Sequence, residues 1–278
     1  MKPLNNSAYL AEFIRYGRLQ SVKIIDTHTH MGGIYGCALP VSDIGGCIKL
    51  MGEQNIESIW CSAHADLFSV NKNNINAETK TILADYPLRV KGYYTFNPNR
   101  KEAYLRGIGE ILTNKNFIGL KFLPNYHNIA LDGEGYAEAL EFADRHGLIV
   151  LSHTWGDKPH NSIKEVVNVL KRYKNLTFIM GHSAPGDLDG AIEAARKHPN
   201  VYLDLCDIHR HAGIVEKMVK SVGAERVLFG TDLPWYDPNY CIGSVLCAWI
   251  TDADREKIFY QNAQNLLKTI KRAGNGTN

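Results

Sequence analysis

The sequence predicts an α/β fold, in the form of a single (β/α)8 TIM barrel with an extra N-terminal helix. Eight short apolar runs rich in β-branched residues recur along the chain, and helical periodicity fills the segments between them. Successive runs start about 25 to 34 residues apart, a spacing that accommodates a strand, a helix and two short loops. Most runs are apolar throughout, as parallel strands covered on both faces are. An open doubly wound sheet is the alternative architecture.

The predicted elements alternate from the N-terminus onward. An extra helix over residues 8–16 precedes the first strand and is expected to cover the barrel floor. Gly147 ends one helical pattern, and Thr251 or Asp252 is a suitable N-cap for the last helix. The strands are expected to begin near Val22, Ile56, Arg89, Ile118, Leu148, Leu176, Val201 and Val227. The other helices are expected over residues 135–146, 162–173, 188–198, 214–222 and 252–270.

Length and composition favour one large domain. The chain has 278 residues, of which 45% are hydrophobic and 22% are charged. Barrels of this class commonly use about 250 residues as a single domain. We therefore expect residues 1–278 to form one domain, with residues 1–21 as its helical N-terminal extension.

The charge pattern argues against nucleic acid and membrane partners. The formal net charge is +2, and no block of like charges occurs. No apolar run approaches the roughly 20 residues of a membrane helix, and charged residues interrupt the N-terminal apolar positions, so neither a membrane span nor a signal peptide is expected. The six cysteines include no Cys-x-x-Cys pair, which favours reduced thiols in a cytoplasmic protein.

A His-x-His pair closes the first predicted strand. Side chains alternate along a strand, so His28 and His30 share a face and are close enough to bind one cation. Asp26 lies on the same face and is expected to accept a ring N–H from this pair. A pair of this kind alone is a weak signal, because strand histidines are more often ordinary hydrogen-bonded groups than ligands.

Three later strands also deliver a ligand-type side chain at their carboxyl ends. The apolar runs that begin near Leu148, Leu176 and Val227 lead to His153, His182 and Asp232. Asp204 and Cys206, after the seventh run, are ambiguous. A barrel brings the carboxyl ends of all its strands around one mouth, so the five side chains are expected to converge there.

Three or four imidazoles and one carboxylate suit a single Zn²⁺ ion best, with Mn²⁺, Fe²⁺, Co²⁺ or Ni²⁺ as alternatives. We expect His28, His30 and His153 to bind the metal, and Asp232 to bind it or to contact its water. Asp232 would take a proton from that water and return it to the leaving group. His182 would complete the metal shell or polarise a substrate oxygen, and the sequence does not separate these two roles.

The ordered motifs DTHTH, GLKFLP, LSHT, GHSAP and GTDLPW resemble those of the amidohydrolase superfamily, and of its family-2 branch of metal-dependent hydrolases in particular. The resemblance runs from about Ile24 to Leu266. It implies a barrel with a divalent metal that hydrolyses C–O or C–N bonds. Some members of the branch are instead nonoxidative decarboxylases of aromatic or muconate-like acids, and others are lactonases.

Lys121 lies inside the fourth apolar run, where a charged side chain is costly unless it is paired or neutralised. The preferred interpretation is that it binds a substrate carboxylate or an oxyanion. In binuclear relatives a strand-four lysine is carbamylated and bridges two metals, so a second metal on a carbamylated Lys121 is a less favoured alternative. A structural ion pair is the third.

Further side chains on the expected mouth loops are candidates for substrate contact. Trp155 and Trp235 follow His153 and Asp232 closely and could form an apolar wall, although aromatic residues in such loops are core or lid packing about half the time. The remaining candidates are His64, Tyr126 and Arg210, of which Arg210 suits a substrate carboxylate.

Hydrolysis of a small ester, lactone or cyclic amide is the main functional prediction. The close alternative is a decarboxylase, a lyase of aromatic or muconate-like acids, on the same metal site. A TatD-like deoxyribonuclease is less favoured, because that family carries a glutamate where this chain has Lys121 and because the chain is nearly neutral. A metal-binding scaffold without turnover is the non-enzyme hypothesis. The expected partners are a small, acidic substrate and, as related barrels suggest, a second copy in a homodimer.

Overall fold

Eight parallel strands form one sheet in which every strand pairs with the next strand in the sequence. The computed structural model describes residues 7–34, 36–68 and 74–270. Each strand starts within two residues of its predicted position, which confirms the predicted alternation of elements. The strands are β1 (Ile24–Thr29), β2 (Ile56–Cys61), β3 (Val90–Thr95), β4 (Phe117–Phe122), β5 (Ile149–His153), β6 (Thr177–Gly181), β7 (Val201–Asp204) and β8 (Val227–Leu228).

Main-chain hydrogen bonds join the first strand to the residues that follow the last strand. The Thr27 N–H donates to the Phe229 carbonyl at 2.9 Å, and the Asp232 N–H donates to the His28 carbonyl at 2.9 Å. The sheet therefore curls into a nearly closed barrel, as predicted, and is not an open doubly wound sheet. This closure also brings the residues after β8 beside β1, which is the step that places Asp232 next to the histidine pair.

Helices occupy the segments between strands, and the predicted extra helix precedes β1. The predicted 252–270 helix is continuous, but a π-helical turn at Lys257–Gln261 interrupts its hydrogen-bond pattern. Within the described ranges, no helix is both long and apolar enough to cross a membrane. The helices are α1 (Ala8–Tyr16), α2 (Ile44–Glu53), α3 (His64–Leu67), α4 (Ala77–Asp85), α5 (Lys101–Gly107), α6 (Glu110–Thr113), α7 (Pro124–His127), α8 (Glu134–His146), α9 (Ile163–Arg172), α10 (Leu188–Lys197), α11 (Ile214–Val222), α12 (Pro238–Cys247), α13 (Asp252–Glu256) and α14 (Asn262–Thr269).

The barrel interior is packed against the C-terminal helix. An inner apolar cluster formed by strand residues such as Trp60 and Tyr93 also contains Ala263 and Leu266 of α14. Helix α1 instead contributes Leu10 to the outer cluster between strands and helices, and its first residue donates a main-chain N–H to Asp252 at 2.8 Å. The expectation that the N-terminal helix covers the barrel floor is therefore wrong. Helix α14, which is remote from β1 in the sequence but close to it in space, buries that surface instead.

The backbone of β5 lies close to Gly119 in β4, which yields a stability test. A Cβ at this position would lie 2.0 Å from the Ile149 carbonyl oxygen of β5, and neither backbone can move without disturbing the ladder. We expect Gly119→Ala to lower the free energy of unfolding by about 3 kcal/mol or more, as measured by urea denaturation. Gly109→Ala is the control, since no atom lies within 4 Å of its added Cβ. Equal stability of the two variants would contradict the close approach.

Candidate metal centre

The barrel brings the five predicted ligand-type side chains together at the carboxyl ends of its strands. The ring centroids of His28 and His30 are 5.2 Å apart, and those of His28 and His182 are 5.0 Å apart. The His153 and His182 rings are 4.5 Å apart, and the His30 Nε2 lies 3.2 Å from Asp232 Oδ1. Residues separated by up to 204 positions in the sequence thus form one cluster, although their roles remain predictions.

Asp232 enters the cluster from a strained backbone position. It follows β8 with a left-handed φ of 62°, which is uncommon for a residue other than glycine. Burial alone would raise the pKa of its carboxyl group, but the contact with His30 and the positive charges that His182 and His28 carry when they are protonated outweigh burial and hold that pKa well below its usual range. Asp232 is therefore an anion at neutral pH.

The His28 ring is fixed by Asp204, the last residue of β7. Its Nδ1–H donates to Asp204 Oδ2 at 2.7 Å, so its Nε2 carries the lone pair that faces the cluster. Asp204 Oδ2 also accepts the main-chain N–H of His182, and Oδ1 accepts that of Cys206, both at 3.2 Å. Burial raises the pKa of Asp204 to about 6, although the charge of His182 opposes this shift.

Asp26 does not have the predicted role of imidazole partner. Its carboxylate accepts the Thr231 hydroxyl at 2.5 Å, the Thr231 N–H at 3.1 Å and the main-chain N–H of His28 at 3.2 Å. It therefore joins the segment after β8 to β1, whereas Asp204 takes the ring N–H. From the sequence, Asp204 was an ambiguous candidate for a role at the site. Its position at the end of the seventh strand was the only signal of such a role.

The other histidines of the cluster are likewise oriented by defined partners. The His30 Nδ1–H donates to the Ser62 carbonyl at 2.9 Å, which leaves Nε2 facing Asp232. The His182 Nε2 lies 2.8 Å from the His153 Nδ1, and the His182 Nδ1 lies 3.2 Å from the Cys206 sulfur. Burial lowers the pKa of His28 and of His153 well below the usual range, and that of His182 to about 4, so these rings are neutral.

Lys121 contacts the cluster through His28. Its fully buried ammonium Nζ lies 2.6 Å from the His28 Nε2, and burial lowers its pKa to about 8 against the attraction of Asp232. It is not among the side chains that line the adjoining cavity. The preferred prediction for this lysine is direct binding of a substrate carboxylate. Such binding would require the substrate to extend past the residues that line the cavity.

A cavity of about 370 Å³ opens onto the cluster and is walled mainly by aromatic side chains. His30, His153, His182 and Asp232 all line it. Its wall also holds a polar pair that no sequence motif predicted, in which the Tyr236 hydroxyl donates to Asp207. The aromatic walls come from Phe68, Tyr126, Trp155, Trp235 and Tyr236.

Most of the predicted substrate-contact residues line this cavity. Trp155 stacks on the His182 ring with an interplanar angle of 10°, and Tyr126, in α7, packs edge-on against His153. Trp235 Nε1–H donates to His64 Nε2 at 3.1 Å, while His64 Nδ1–H donates to the Gly32 carbonyl at 2.7 Å.

Arg210 is the last residue of a short 3-10 turn after β7, Ile208–Arg210. Its side chain lies outside the part of the chain that the structure describes. The predicted contact between this arginine and a substrate carboxylate therefore stays a prediction.

The donor set fits a divalent cation. One donor atom each from His28, His182, Cys206 and Asp232 lie within 4.8 Å of one another. His153 Nε2 and Asp232 Oδ1 are buried and make no hydrogen bond in the described structure. His30 commits its Nδ1–H to a carbonyl, and its Nε2 lies 3.2 Å from the Asp232 carboxylate. A divalent cation among these buried donor atoms would satisfy them.

A family model described as Amidohydrolase matches residues 63–269 of the chain. A curated relative, gamma-resorcylate decarboxylase from Polaromonas sp. (strain JS666 / ATCC BAA-500), is 28% identical over 281 residues, covering 80% of this chain and 86% of the relative.

Solved structures share the fold at lower identity. The dihydroxybenzoic acid decarboxylase from Polaromonas sp. JS666, with bound manganese and the inhibitor 2-nitroresorcinol, has a TM-score of 0.68 and 17% identity, covering 89% of this chain and 97% of that one. The 5-carboxyvanillate decarboxylase from Sphingomonas paucimobilis has a TM-score of 0.71 and 15% identity, covering 90% and 100%.

The Asp204–His28 contact predicts a specific effect on metal affinity. We expect Asp204→Asn to weaken Mn²⁺ binding about tenfold or more in a chelator competition assay, because the uncharged amide no longer favours the Nδ1–H tautomer of His28. The raised pKa of Asp204 means that its ionisation costs folding free energy as the pH rises from about 4 through 6. The stability of the wild type relative to the variant should therefore fall as the pH rises from about 4 to 6, as urea denaturation across this range measures. Asp189→Asn, at an exposed ion pair, is the control; unchanged Mn²⁺ affinity in Asp204→Asn would refute the role.

Lys121 yields a second test that separates its predicted roles. We expect the wild type to bind one Mn²⁺ per chain and Lys121→Met to bind one Mn²⁺ about tenfold more tightly, because the substitution frees the His28 Nε2 and removes a neighbouring positive charge. Metal analysis and calorimetric titration measure both quantities, with Lys101→Met at an exposed helix position as the control. Two equivalents in the wild type and one in the variant would instead support the carbamylated bridge.

Proposed function

Because this chain belongs to the amidohydrolase family, we propose that it is a divalent-metal-dependent, nonoxidative decarboxylase of a hydroxylated aromatic acid. The curated relative and the two solved structures described above are named for decarboxylation of aromatic acids, which supports the alternative from the sequence analysis better than the hydrolase prediction. The same residues would serve either reaction. The proposal therefore differs from the hydrolase prediction in which bond breaks, and the proposed metal centre is the same in both.

One observation carries the proposal: the anionic Asp232 lies among four imidazoles, beside an aromatic-walled cavity. A volume of about 370 Å³ is at the lower end of the range typical of small-molecule sites and suits a substituted benzene ring. Trp155 and Tyr126 offer flat apolar faces against which such a ring can pack. The carboxylate to be lost would then lie toward the histidines.

His28, His30, His153 and Asp232 are the residues that would hold the metal. Imidazole and carboxylate donors accommodate Zn²⁺ and Mn²⁺, so both belong to this proposal, with Fe²⁺, Co²⁺ and Ni²⁺ as further candidates. When bound, the cation supplies a positive charge that orients and polarises the oxygens of an acidic substrate.

Asp232 would carry the proton that the reaction requires. The ionised carboxylate of Asp232 takes a proton from the substrate hydroxyl that is adjacent, on the ring, to the substrate's own carboxylate. This transfer gives a phenolate and a neutral Asp232. Asp232 then protonates the ring carbon that bears the carboxylate. The C–C bond breaks, its electron pair returns to the ring, and CO2 leaves. The phenolate product takes a proton from water, and Asp232 is again an anion.

The remaining predicted contacts become part of the same proposal. Trp235 and His64 hold each other at the cavity wall, so they would shape the space around the ring rather than donate to it. Lys121 and Arg210 remain the proposed sources of positive charge for an acidic substrate. All six cysteines are free thiols, which supports the expected cytoplasmic location.

A substrate panel tests the proposal directly. Purified protein loaded with Mn²⁺ or Zn²⁺ is incubated with 2,6-dihydroxybenzoate, 5-carboxyvanillate, a lactone and an ester, and CO2 and ring products are quantified. We expect CO2 release from at least one hydroxybenzoate and no opening of the lactone. Lactone or ester turnover without CO2 release would restore the hydrolase prediction.

Removing the proton carrier gives the sharpest prediction for the reaction. We expect Asp232→Asn to lower kcat for CO2 release by about 10³-fold or more, because the amide cannot accept and return a proton. Most of the metal should remain bound, since three imidazoles are untouched. Asp189→Asn is again the control. Undiminished turnover by Asp232→Asn would remove it from the proposed mechanism.

A further inference from the structure

We infer that the Asp207–Tyr236 pair in the cavity wall determines which ring substituents the site accepts. Asp207 accepts a hydrogen bond from a second hydroxyl on the substrate ring, distinct from the hydroxyl that gives its proton to Asp232. The inference rests on the proposed function, and it narrows the substrate class to aromatic acids that carry a further hydrogen-bond donor.

The pair is formed by two loops that meet at the cavity. Asp207 follows β7 and is only 4% exposed, and Tyr236 follows β8 and is partly buried. The Tyr236 hydroxyl donates to Asp207 Oδ1, and both side chains line the cavity. Asp207 is the only carboxylate besides Asp232 among the described side chains in this lining. The cavity therefore presents one carboxylate at the proposed metal centre and a second that is not a member of the donor group there.

Asp207 is held in an unusual backbone conformation. Its φ is 60°, in the left-handed region that is uncommon for a residue other than glycine. The Ile208 N–H donates to the Cys206 carbonyl at 2.7 Å and closes a tight turn around Asp207. Backbone strain of this kind is found most often where a side chain must be held for a ligand. The turn therefore supports a role for Asp207 in binding.

Tyr236 is itself fixed by packing. Its ring packs edge-on against the ring of His209, with the centroids 5.5 Å apart and an interplanar angle of 88°. His209 is buried, and its Nδ1–H donates to the Leu205 carbonyl at 2.9 Å. A tyrosine ring held in this way keeps its hydroxyl directed at Asp207, so the orientation of the Asp207 carboxylate is defined as well.

The pair can accept hydrogen bonds from a ligand but does not donate one. A carboxylate has about four lone-pair sites and no donor, and the single hydroxyl proton of Tyr236 is used in the contact with Asp207. Asp207 can therefore keep its contacts with the protein and still accept one more hydrogen bond. A ring hydroxyl satisfies this requirement. A methoxy or nitro group at the same place presents only lone pairs to the carboxylate, which is unfavourable in a cavity that excludes water.

The other polar pair of the wall does not provide this discrimination. Trp235 and His64 hydrogen-bond each other, and the second ring nitrogen of His64 is bonded to the Gly32 carbonyl. All the ring nitrogens of that pair are thus engaged within the protein. His64 and Trp235 shape the cavity, whereas Asp207 distinguishes a hydrogen-bond donor from an acceptor.

The substitution Asp207→Asn is designed to remove the preference without removing the side chain. An amide has one acceptor oxygen and two N–H donors, and the Tyr236 proton selects the oxygen as its partner. The N–H groups then remain for the ligand, and they can donate to a methoxy oxygen as well as to a hydroxyl oxygen. A preference that depends on Asp207 as an acceptor should therefore disappear, whereas exclusion of a methyl group by its size should persist.

The test measures binding of catechol, resorcinol, hydroquinone and the monomethyl ether of each to the Mn²⁺-loaded protein by calorimetric titration. Each diol differs from its ether only by a methyl group on the second oxygen. In parallel, kcat/KM for CO2 release is measured with dihydroxybenzoates and with monomethyl ethers that keep the hydroxyl beside the carboxylate. Thermal melting verifies that each variant folds, and Asp189→Asn is the matched control at an exposed ion pair.

We expect the wild type and Asp189→Asn to bind at least one diol about tenfold or more tightly than its ether. The ratio should fall to about one in Asp207→Asn. Tyr236→Phe should keep most of the preference, because the carboxylate remains an acceptor.

Equal binding of every diol and its ether by the wild type would overturn the inference. An unchanged ratio in Asp207→Asn would also overturn it, as would loss of the preference in Tyr236→Phe alone, which would assign the contact to the tyrosine. A diol preference that Asp207→Asn abolishes, without CO2 release from any acid, would support the role of Asp207 and refute the proposed function.

Discussion

The buried carboxylate of Asp204 is the group on which the arrangement of the centre depends. It accepts the ring N–H of His28 from β1 and main-chain N–H groups from the segments after β6 and β7. Burying a carboxylate is costly unless its oxygens are hydrogen-bonded, and three donors meet that requirement here. The space for this contact exists because residue 230 is glycine, where a Cβ would lie 2.3 Å from Asp204 Oδ1. The missing side chain at Gly230, after β8, thus leaves room for the carboxylate that orients an imidazole on β1.

The electrostatics of the centre follow from the same burial. Oδ1 of the ionised Asp232 and the buried His153 Nε2 both lack a hydrogen-bond partner among the described residues, an arrangement that a positive charge stabilises. Lys121 supplies such a charge from within the barrel, through His28. A divalent cation would supply more charge and would engage more of the donors. Competition between these two cations would make metal affinity depend on Lys121.

Membership of the amidohydrolase family confirms the resemblance in the sequence motifs. The family includes more than one reaction, so the choice between them depends on the cavity. In the proposed decarboxylation, as in the hydrolase prediction, Asp232 would take up a proton and return it. Aromatic walls beside that carboxylate favour a planar ring over a flexible ester. The aromatic acids named for the relatives are consistent with this shape, and decarboxylation is proposed on these two grounds together.

The sequence by itself determined the barrel and the convergence of its strand ends. The apolar pattern of each strand depends only on that strand's own burial. The starts of the eight strands and the five ligand-type residues could therefore be located without any knowledge of contacts between strands. Contacts between side chains could not be located in this way, because they depend on register and rotamers across the barrel. Asp204, rather than Asp26, meets the His28 ring across 176 positions, and Trp235 meets His64 across 171. Only the tertiary structure decided these pairings, the contact of Lys121 with His28, and the packing of the C-terminal helix against the barrel interior.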